Sequence, residues 1–232
     1  MAREDFTTYT EVDIPADRIQ KTSYHADYLA YKDELCFLYD DKGANYFDEF
    51  EHIIDVKPVS AGVVGTEWAN FYLLTNEKEH TLNHFRNNDL PFIVGTLFRH
   101  TSGQIWLYFG VGDATGDTFI YYSGLSYGAW YYVTILRDAI NNVCKIYTDP
   151  ERTNLLSTLT IPKSTRDAGL LRYVTPASTY GGSVHIWFEL DIENLYLTPP
   201  VPPAPKKLVL RTSAFSGIAL ADITKREKVI II

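Results

Sequence analysis

The run Gln104-Ile105-Trp106-Leu107-Tyr108-Phe109, followed further on by Gly128-Ala129-Trp130-Tyr131-Tyr132-Val133-Thr134-Ile135-Leu136-Arg137-Asp138, decides the fold. Successive side chains of a strand point to opposite faces, so Ile105, Leu107 and Phe109 share one face and Trp106 and Tyr108 the other. Ala- or Leu-rich segments with a helical period are almost absent, while Tyr, Phe, Trp, Thr, Val and Ile, which fit a pleated surface, abound. Working outward, strand-length segments recur at Cys36 to Tyr39, Phe47 to Lys57, Trp68 to Leu74, Phe92 to Arg99, Thr118 to Tyr122, Val143 to Thr148 and Val184 to Leu197. Between them lie Asp40-Asp41-Lys42-Gly43, Asp113-Ala114-Thr115-Gly116-Asp117 and Asn141-Asn142, residues that tolerate turn geometry. About a dozen strands at this spacing predict an all-β chain folded as a sandwich of two antiparallel sheets.

Composition narrows the classes. A chain of 232 residues that is 46% hydrophobic buries about 70–75% of its unfolded surface and needs no disulfide or metal to fold. No stretch approaches the roughly 20 apolar residues that span a bilayer, so no membrane insertion is expected. Met1 to Thr8 carries no apolar signal core, and no cleaved export signal is expected. The net charge is −8 and no basic stripe occurs in the first 200 residues, which argues against nucleic acid as a partner. Cys36 and Cys144 match no metal spacing; they either form one disulfide or are two unrelated buried thiols.

The stretch Pro199-Pro200-Val201-Pro202-Pro203-Ala204-Pro205 lacks backbone donors and reads as an extended rod. It divides the chain into a domain of residues 1–198, a linker of 199–205 and a tail of 206–232. The tail holds Lys206, Lys207, Arg211, Lys225, Arg226 and Lys228 against Asp222 and Glu227, a charge of +4, which leaves −12 on the rest. Its strand-like ends, Leu208-Val209-Leu210 and Val229 to Ile232, either pair on the domain's own edge or dock elsewhere, in a homo-oligomer or a larger assembly.

The succession Gln104 to Val111, Tyr121-Tyr122, Gly128 to Asp138 and Lys145-Ile146-Tyr147-Thr148-Asp149 resembles the concanavalin A-like lectin/glucanase superfamily, in particular laminin-G-like modules. Phe50-Glu51-His52 and the closing strand Asp191 to Leu197 fit the same scheme, so the resemblance covers about residues 5–197. It implies a jelly roll with adjacent first and last strands and a face that in relatives holds glycans or peptides.

Several residue sets carry candidate chemistry. Glu189, Asp191 and Glu193 alternate onto one strand face and resemble the Glu-x-Asp-x-Glu signature of the superfamily's retaining glucanases. Their position just before the proline rod departs from that pattern, so a solvated acidic face is expected. Glu49, Glu51 and Asp55 form a second acidic strand face; were the two neighbours, like charges would oppose one another, and water or a bound cation would have to screen them. The calcium candidates are Asp113 and Asp117, since laminin-G-like relatives often bind calcium at such a rim; ordinary turn chemistry is the competing reading. Glu79-His80-Thr81-Leu82-Asn83-His84 is not a zinc-protease motif and reads as a polar loop. Gly124-Leu125-Ser126-Tyr127-Gly128 has the letters of a nucleophile elbow in the wrong context.

The aromatic residues are the stronger binding signal. Trp106 and Tyr108, joined by Tyr121 or Tyr122 and by Trp68 or Tyr72, either form an exposed platform that stacks sugar rings or, where both faces of the sandwich are covered, fill a core, the commoner case for such rings. Together these readings predict a non-catalytic, surface-displayed recognition or structural module that binds carbohydrate or a partner protein. Two alternatives stand beside it: a virion structural or capsid-decorating protein anchored through residues 199–232, and a glycoside hydrolase using Glu189 and Glu193.

Overall fold

Strand alternation becomes a two-layer sandwich in the computed structural model, which describes residues 2–62, 67–78, 81–181 and 186–198. Its strands are β1 (Ala2–Arg3), β2 (Thr10–Ile14), β3 (Ile19–Lys21), β4 (His25–Tyr31), β5 (Leu35–Asp41), β6 (Phe50–Ala61), β7 (Glu67–Thr75) and β8 (Phe92–Arg99). They continue as β9 (Ile105–Asp113), β10 (Gly116–Leu125), β11 (Tyr131–Arg137), β12 (Asn141–Tyr147), β13 (Leu155–Pro162), β14 (Tyr173–Thr179) and β15 (Trp187–Leu197). A short helix α1 (Leu82–Asn87) interrupts the series.

An eight-stranded sheet runs β13-β12-β11-β6-β15-β4-β3 with β1 added on β15, and a seven-stranded sheet runs β10-β9-β8-β7-β14-β5-β2. Every pairing is antiparallel, and the first and last strands are neighbours. The fold is the all-β jelly roll that the sequence predicts. The expected strand set was incomplete: β1, β2, β3, β4, β13 and β14 were not foreseen.

Each sheet sends its apolar alternate set inward. Ile54, Val56, Val133, Ile135, Ile146, Leu190 and Ile192 from one sheet meet Leu74, Leu97, Leu107, Phe109 and Val111 from the other in a single core. Full burial of one such side chain contributes about 1.5–3 kcal/mol. Cys36 and Cys144 are both buried and free, so the two-thiol alternative holds.

Two local devices shape the outside of the seven-stranded sheet. A register shift between Asn70 and Tyr72 breaks the alternation of β7; a bulged residue flips everything after it to the other face. Tyr72 therefore turns inward. On β9, Gly110 and Gly112 leave bare backbone on which rings lie: a Cβ at Gly110 would stand 2.3 Å from Phe119, and one at Gly112 would stand 2.2 Å from Phe92. Helix α1, whose Thr81 side chain caps the His84 amide, lays Leu82 and Phe85 over Leu73, Phe92 and Val94. It closes that half of the outer face. The half carrying Trp68, Trp106 and Tyr108 has no such cover among the described residues.

The linker 199–205 and tail 206–232 lie outside the described residues, as do Glu79 and His80. His84 belongs to α1, so the segment expected to be a polar loop is in part helical.

Candidate functional site

Cross-strand register builds the uncovered half into rows. Trp68, Phe98 and Trp106 are neighbours across β7, β8 and β9, and Asn70, Thr96, Tyr108 and Tyr121 form the next row. Three rings stack in parallel: His100 on Trp106 at 4.5 Å and 7°, and Trp106 on Tyr121 at 4.7 Å and 8°. Those separations match the roughly 4.8 Å spacing between strands. The rings therefore stand up from the sheet and stack sideways, with edges and polar tips facing solvent. The rings form a ladder, with one ring face open at the Tyr121 end, where that residue is 51% exposed.

The ladder continues inward through tilted contacts. Tyr108 lies 5.1 Å from Tyr121 and 5.0 Å from Trp68, and Trp68 stacks on Tyr180 at 5.2 Å. Phe98 wedges between Trp68 and Tyr108. Beneath them Asn70 is fully buried and donates to the Ser178 hydroxyl and the Thr179 carbonyl, tying β7 to β14. Lys32 lies over the Tyr180 ring at 5.6 Å, and Arg86 donates to the Tyr180 hydroxyl at 2.5 Å while pairing with Asp117. Cationic groups thus border the end opposite Tyr121.

Proton positions follow from the hydrogen bonds. The Ser102 backbone N–H donates to His100 Nδ1 at 3.2 Å, so a neutral His100 carries its proton on Nε2. Burial, with the neighbouring Tyr121, holds the Tyr108 hydroxyl protonated above the usual tyrosine range. His100 Nε2 and the Tyr108 hydroxyl are therefore donors within the ladder. Of the aromatic candidates, Trp68, Trp106, Tyr108 and Tyr121 come together here. Tyr72 does not: the bulge places it in the core, where its hydroxyl bonds His52 Nδ1 at 2.7 Å. Tyr122 faces inward as well. His100 and Tyr180 were missed, although His100 continues the Val94-Thr96-Phe98 alternation.

The outer face of the eight-stranded sheet is charged instead. The two acidic strands are direct neighbours, as feared, since β6 pairs with β15. The screening cations come from the protein. Lys57 pairs with Asp191 and lies 5.0 Å from the Trp130 ring centre, Arg152 bonds Asp55 at 2.6 Å, and His25 bonds Glu193 at 2.8 Å and Asp27 at 2.6 Å. Burial opposes charging of His25, but the bonds to Asp27 and Glu193 prevail and raise its pKa. Burial also lifts the Asp55 and Asp191 carboxyls above the usual range, in part offset by Asn194 and Arg152 for the first and by Lys57 for the second. Glu189 turns to Ser60 on β6 whereas Glu193 turns to His25 on β4, so the glucanase-like carboxylates reach to opposite neighbours rather than converging.

Asp113 and Asp117 do not converge as calcium ligands. They sit at the tip of the β9–β10 hairpin, where Asp113 accepts from Thr115 at 2.7 Å and from the Asp167 amide, beside Arg166, and Asp117 takes Arg86. Turn chemistry and arginines occupy both carboxylates.

No family model and no curated protein match the sequence. Solved structures do. The alginate lyase from Klebsiella pneumoniae superposes with a TM-score of 0.53 at 8% identity, covering 83% of this chain and 94% of that one. A mutant of alginate lyase Aly36B in complex with alginate trisaccharide gives 0.52 at 14%, covering 84% and 89%. Alginate lyase A1-II′, a member of polysaccharide lyase family 7, gives 0.50 at 13%, covering 75% and 79%. At such identities the likeness shows the fold, the concanavalin A-like jelly roll. It also corrects the expectation of a non-catalytic module: the sandwich is shared with several polysaccharide lyases, and a role without catalysis has no support from it.

Proposed function

We propose that the protein is a polysaccharide-active enzyme whose glycan chain lies along the ring ladder of the seven-stranded sheet. The observation that carries this reading is the row His100, Trp106, Tyr121, Tyr108, Trp68 and Tyr180, which crosses neighbouring strands with its polar tips outward. Sugars offer apolar ring faces and many hydroxyl acceptors, and Trp and Tyr meet both demands with little conformational freedom to lose. The open face of Tyr121 suits one sugar ring, while Lys32 suits an acidic group at the far end. Glycan partners agree with the alginate oligosaccharide bound to a structurally similar lyase.

The reaction that this donor set favours is lytic cleavage of a uronate-containing chain. Elimination takes the proton from C5, forms the C4–C5 double bond and breaks the C4–O bond: the Tyr108 oxygen accepts the C5 proton as its own hydroxyl proton passes to the expelled glycosidic oxygen, and charge growing on the uronate carboxylate needs hydrogen bonds. Burial keeps the Tyr108 hydroxyl protonated for the first, and His100 Nε2–H supplies a donor for the second. The test is incubation of the purified full chain with alginate and other acidic and neutral polysaccharides, following unsaturated-uronate absorbance and new reducing ends. Unsaturated product is expected, with turnover lost in Tyr108→Phe and His100→Ala; failure to depolymerise any of them overturns the proposal.

The laminin-G-like affiliation draws support from the Gly128–Asp138 run forming a strand that hairpins into the one ending at Tyr147. The charge reversal at the proline rod supports a separate linker and basic tail beyond residue 198.

A further inference from the structure

On the opposite face of the sandwich, away from the ladder, β4 and β15 bring together a nitrogen and two carboxylates. Asp191 and Asp27 are cross-strand partners, and Glu193 and His25 are the next pair on the same face. One ligand atom each from His25, Asp27 and Asp191 lies within 4.8 Å of the others. We propose that these three residues form a site for a divalent transition ion of the zinc class.

The donor set selects the metal. One imidazole with two carboxylates suits zinc, whereas calcium prefers six to eight oxygens. Ligands around tetrahedral zinc stand about 2.0–2.2 Å from the ion, so modest rotation of the half-exposed Asp27 and His25 side chains closes the set. His25 is prepared for the role. Its Nδ1 bonds Glu193 at 2.8 Å, the outer carboxylate–histidine contact that fixes the tautomer and aims Nε2 at a metal. Nε2 now rests on Asp27 at 2.6 Å, an arrangement in which both ring nitrogens must carry protons; an ion would take the place of the Nε2 proton. Lys57 holds Asp191 Oδ2, and Asp191 also lies within hydrogen-bond reach of Asp27, so an ion would stand where those two carboxylates meet.

The opposition of Asp27 and Asp191 gives the site a purpose. Carboxylates directly across a strand pair destabilise it by up to about 1 kcal/mol, an opposition that Lys57 on Asp191 and His25 on Asp27 offset from either side. An ion would convert that repulsion into a clamp between β4 and β15, with a fourth coordination position open to solvent on the exposed Asp27 side.

Calorimetric titration of the untagged full chain with zinc chloride tests this. One equivalent is expected to bind and to raise the melting temperature reversibly to a chelator. His25→Gln and Asp27→Asn should each weaken binding at least tenfold, while His84→Gln, which lies on α1, should not. Cobalt(II) needs no variant: bound to the wild type it should give the intense visible bands of a four-coordinate nitrogen–oxygen site. No saturable heat at millimolar zinc, unchanged affinity in His25→Gln, or a cobalt spectrum equal to that of the hydrated ion would each overturn the proposal. None of these readouts depends on polysaccharide cleavage.

Discussion

Acid should unfold this protein through His52. Its side chain points into the sandwich from β6, is 1% exposed, stacks on Phe50 at 4.1 Å, meets Phe47 edge-on at 5.3 Å and bonds Tyr72 at 2.7 Å. Desolvation drives its pKa down to about 3, against about 6.5 in the unfolded chain. Below about pH 6.5 the unfolded chain binds a proton that the folded chain refuses, so this contribution is complete above that pH and shrinks as pH falls toward 3. At about 1.36 kcal/mol per unit, the 3.5-unit gap amounts to roughly 5 kcal/mol, and the first 1.5 units to about 2 kcal/mol. That is a large share of a typical stability of about 5–15 kcal/mol. The assay is urea denaturation at steps between about pH 6.5 and 5, comparing wild type with His52→Gln, which keeps an acceptor for Tyr72 but does not titrate. Carboxylates of the unfolded chain titrate mostly below this window. Wild type should lose about 2 kcal/mol more than the variant across it. Parallel curves would refute the reasoning, whatever the variant's absolute stability.

Other measurements bear on the site and its frame. Trp106→Ala removes two parallel ring contacts worth about 0.5–1.5 kcal/mol each, so denaturation should show a loss of about 1–3 kcal/mol, together with lower turnover on whichever polysaccharide the full chain depolymerises. Tyr121→Ala, at the exposed end, should leave stability within about 1 kcal/mol while lowering kcat/KM at least tenfold; equal turnover would detach the ladder from the reaction. Gly112→Ala drives a methyl into the buried Phe92 ring and should cost about 1–3 kcal/mol by urea denaturation. His25 gives pH dependence of the opposite sign to His52. Its folded pKa is raised, so its stabilisation is complete below about pH 6.5 and is lost as pH rises through the folded value, which His25→Gln should abolish. Burial pushes the Cys36 thiol up to about 12 and the Cys144 thiol higher still, so neither should react with a thiol reagent until the chain unfolds.

Strand existence was legible wherever alternation ran unbroken, as in Gln104–Phe109, because the period of 2 alone assigns Leu107 to the core and Trp106 to the surface. It failed where something local interrupted the pattern. Strand β14 carries Pro176 at its centre, which reads as a strand breaker; the register shift between Val174 and Ala177 on the β5 side relieves the missing donor there. Strand β4 reads His-Ala-Asp-Tyr-Leu-Ala-Tyr, too polar on one face and too small on the other to stand out. Tyr72 was misplaced by one bulged residue, and no periodic reading detects an insertion that lies in the pairing rather than in the letters.

Site geometry was less legible than the fold, because it depends on which residues of distant strands stand side by side. Each ring of the ladder is visible as an outward alternate position, but its stack is set by the β9–β10 hairpin, where Ala114-Thr115 fixes Asp113 opposite Gly116 and hence Tyr108 opposite Tyr121. A one-residue slip there would send Tyr121 into the core. The acidic face follows the same logic with charge. Glu189, Asp191 and Glu193 look unbalanced in the sequence because their partners come from β6 and β4, and the Arg152 that neutralises Asp55 comes from the turn between β12 and β13. The domain's net charge of −12 is thus a poor guide to its local fields. With the inner faces of both sheets committed to one core, chemistry is confined to the outer ones: hydrogen-bond donors on rings for one sheet, paired charges for the other. An acidic glycan suits the first face, where Lys32 lies by Tyr180, better than the second, where Lys57, Arg152 and His25 are already taken by acids. The acids that register draws together there are the ones suited to a small cation.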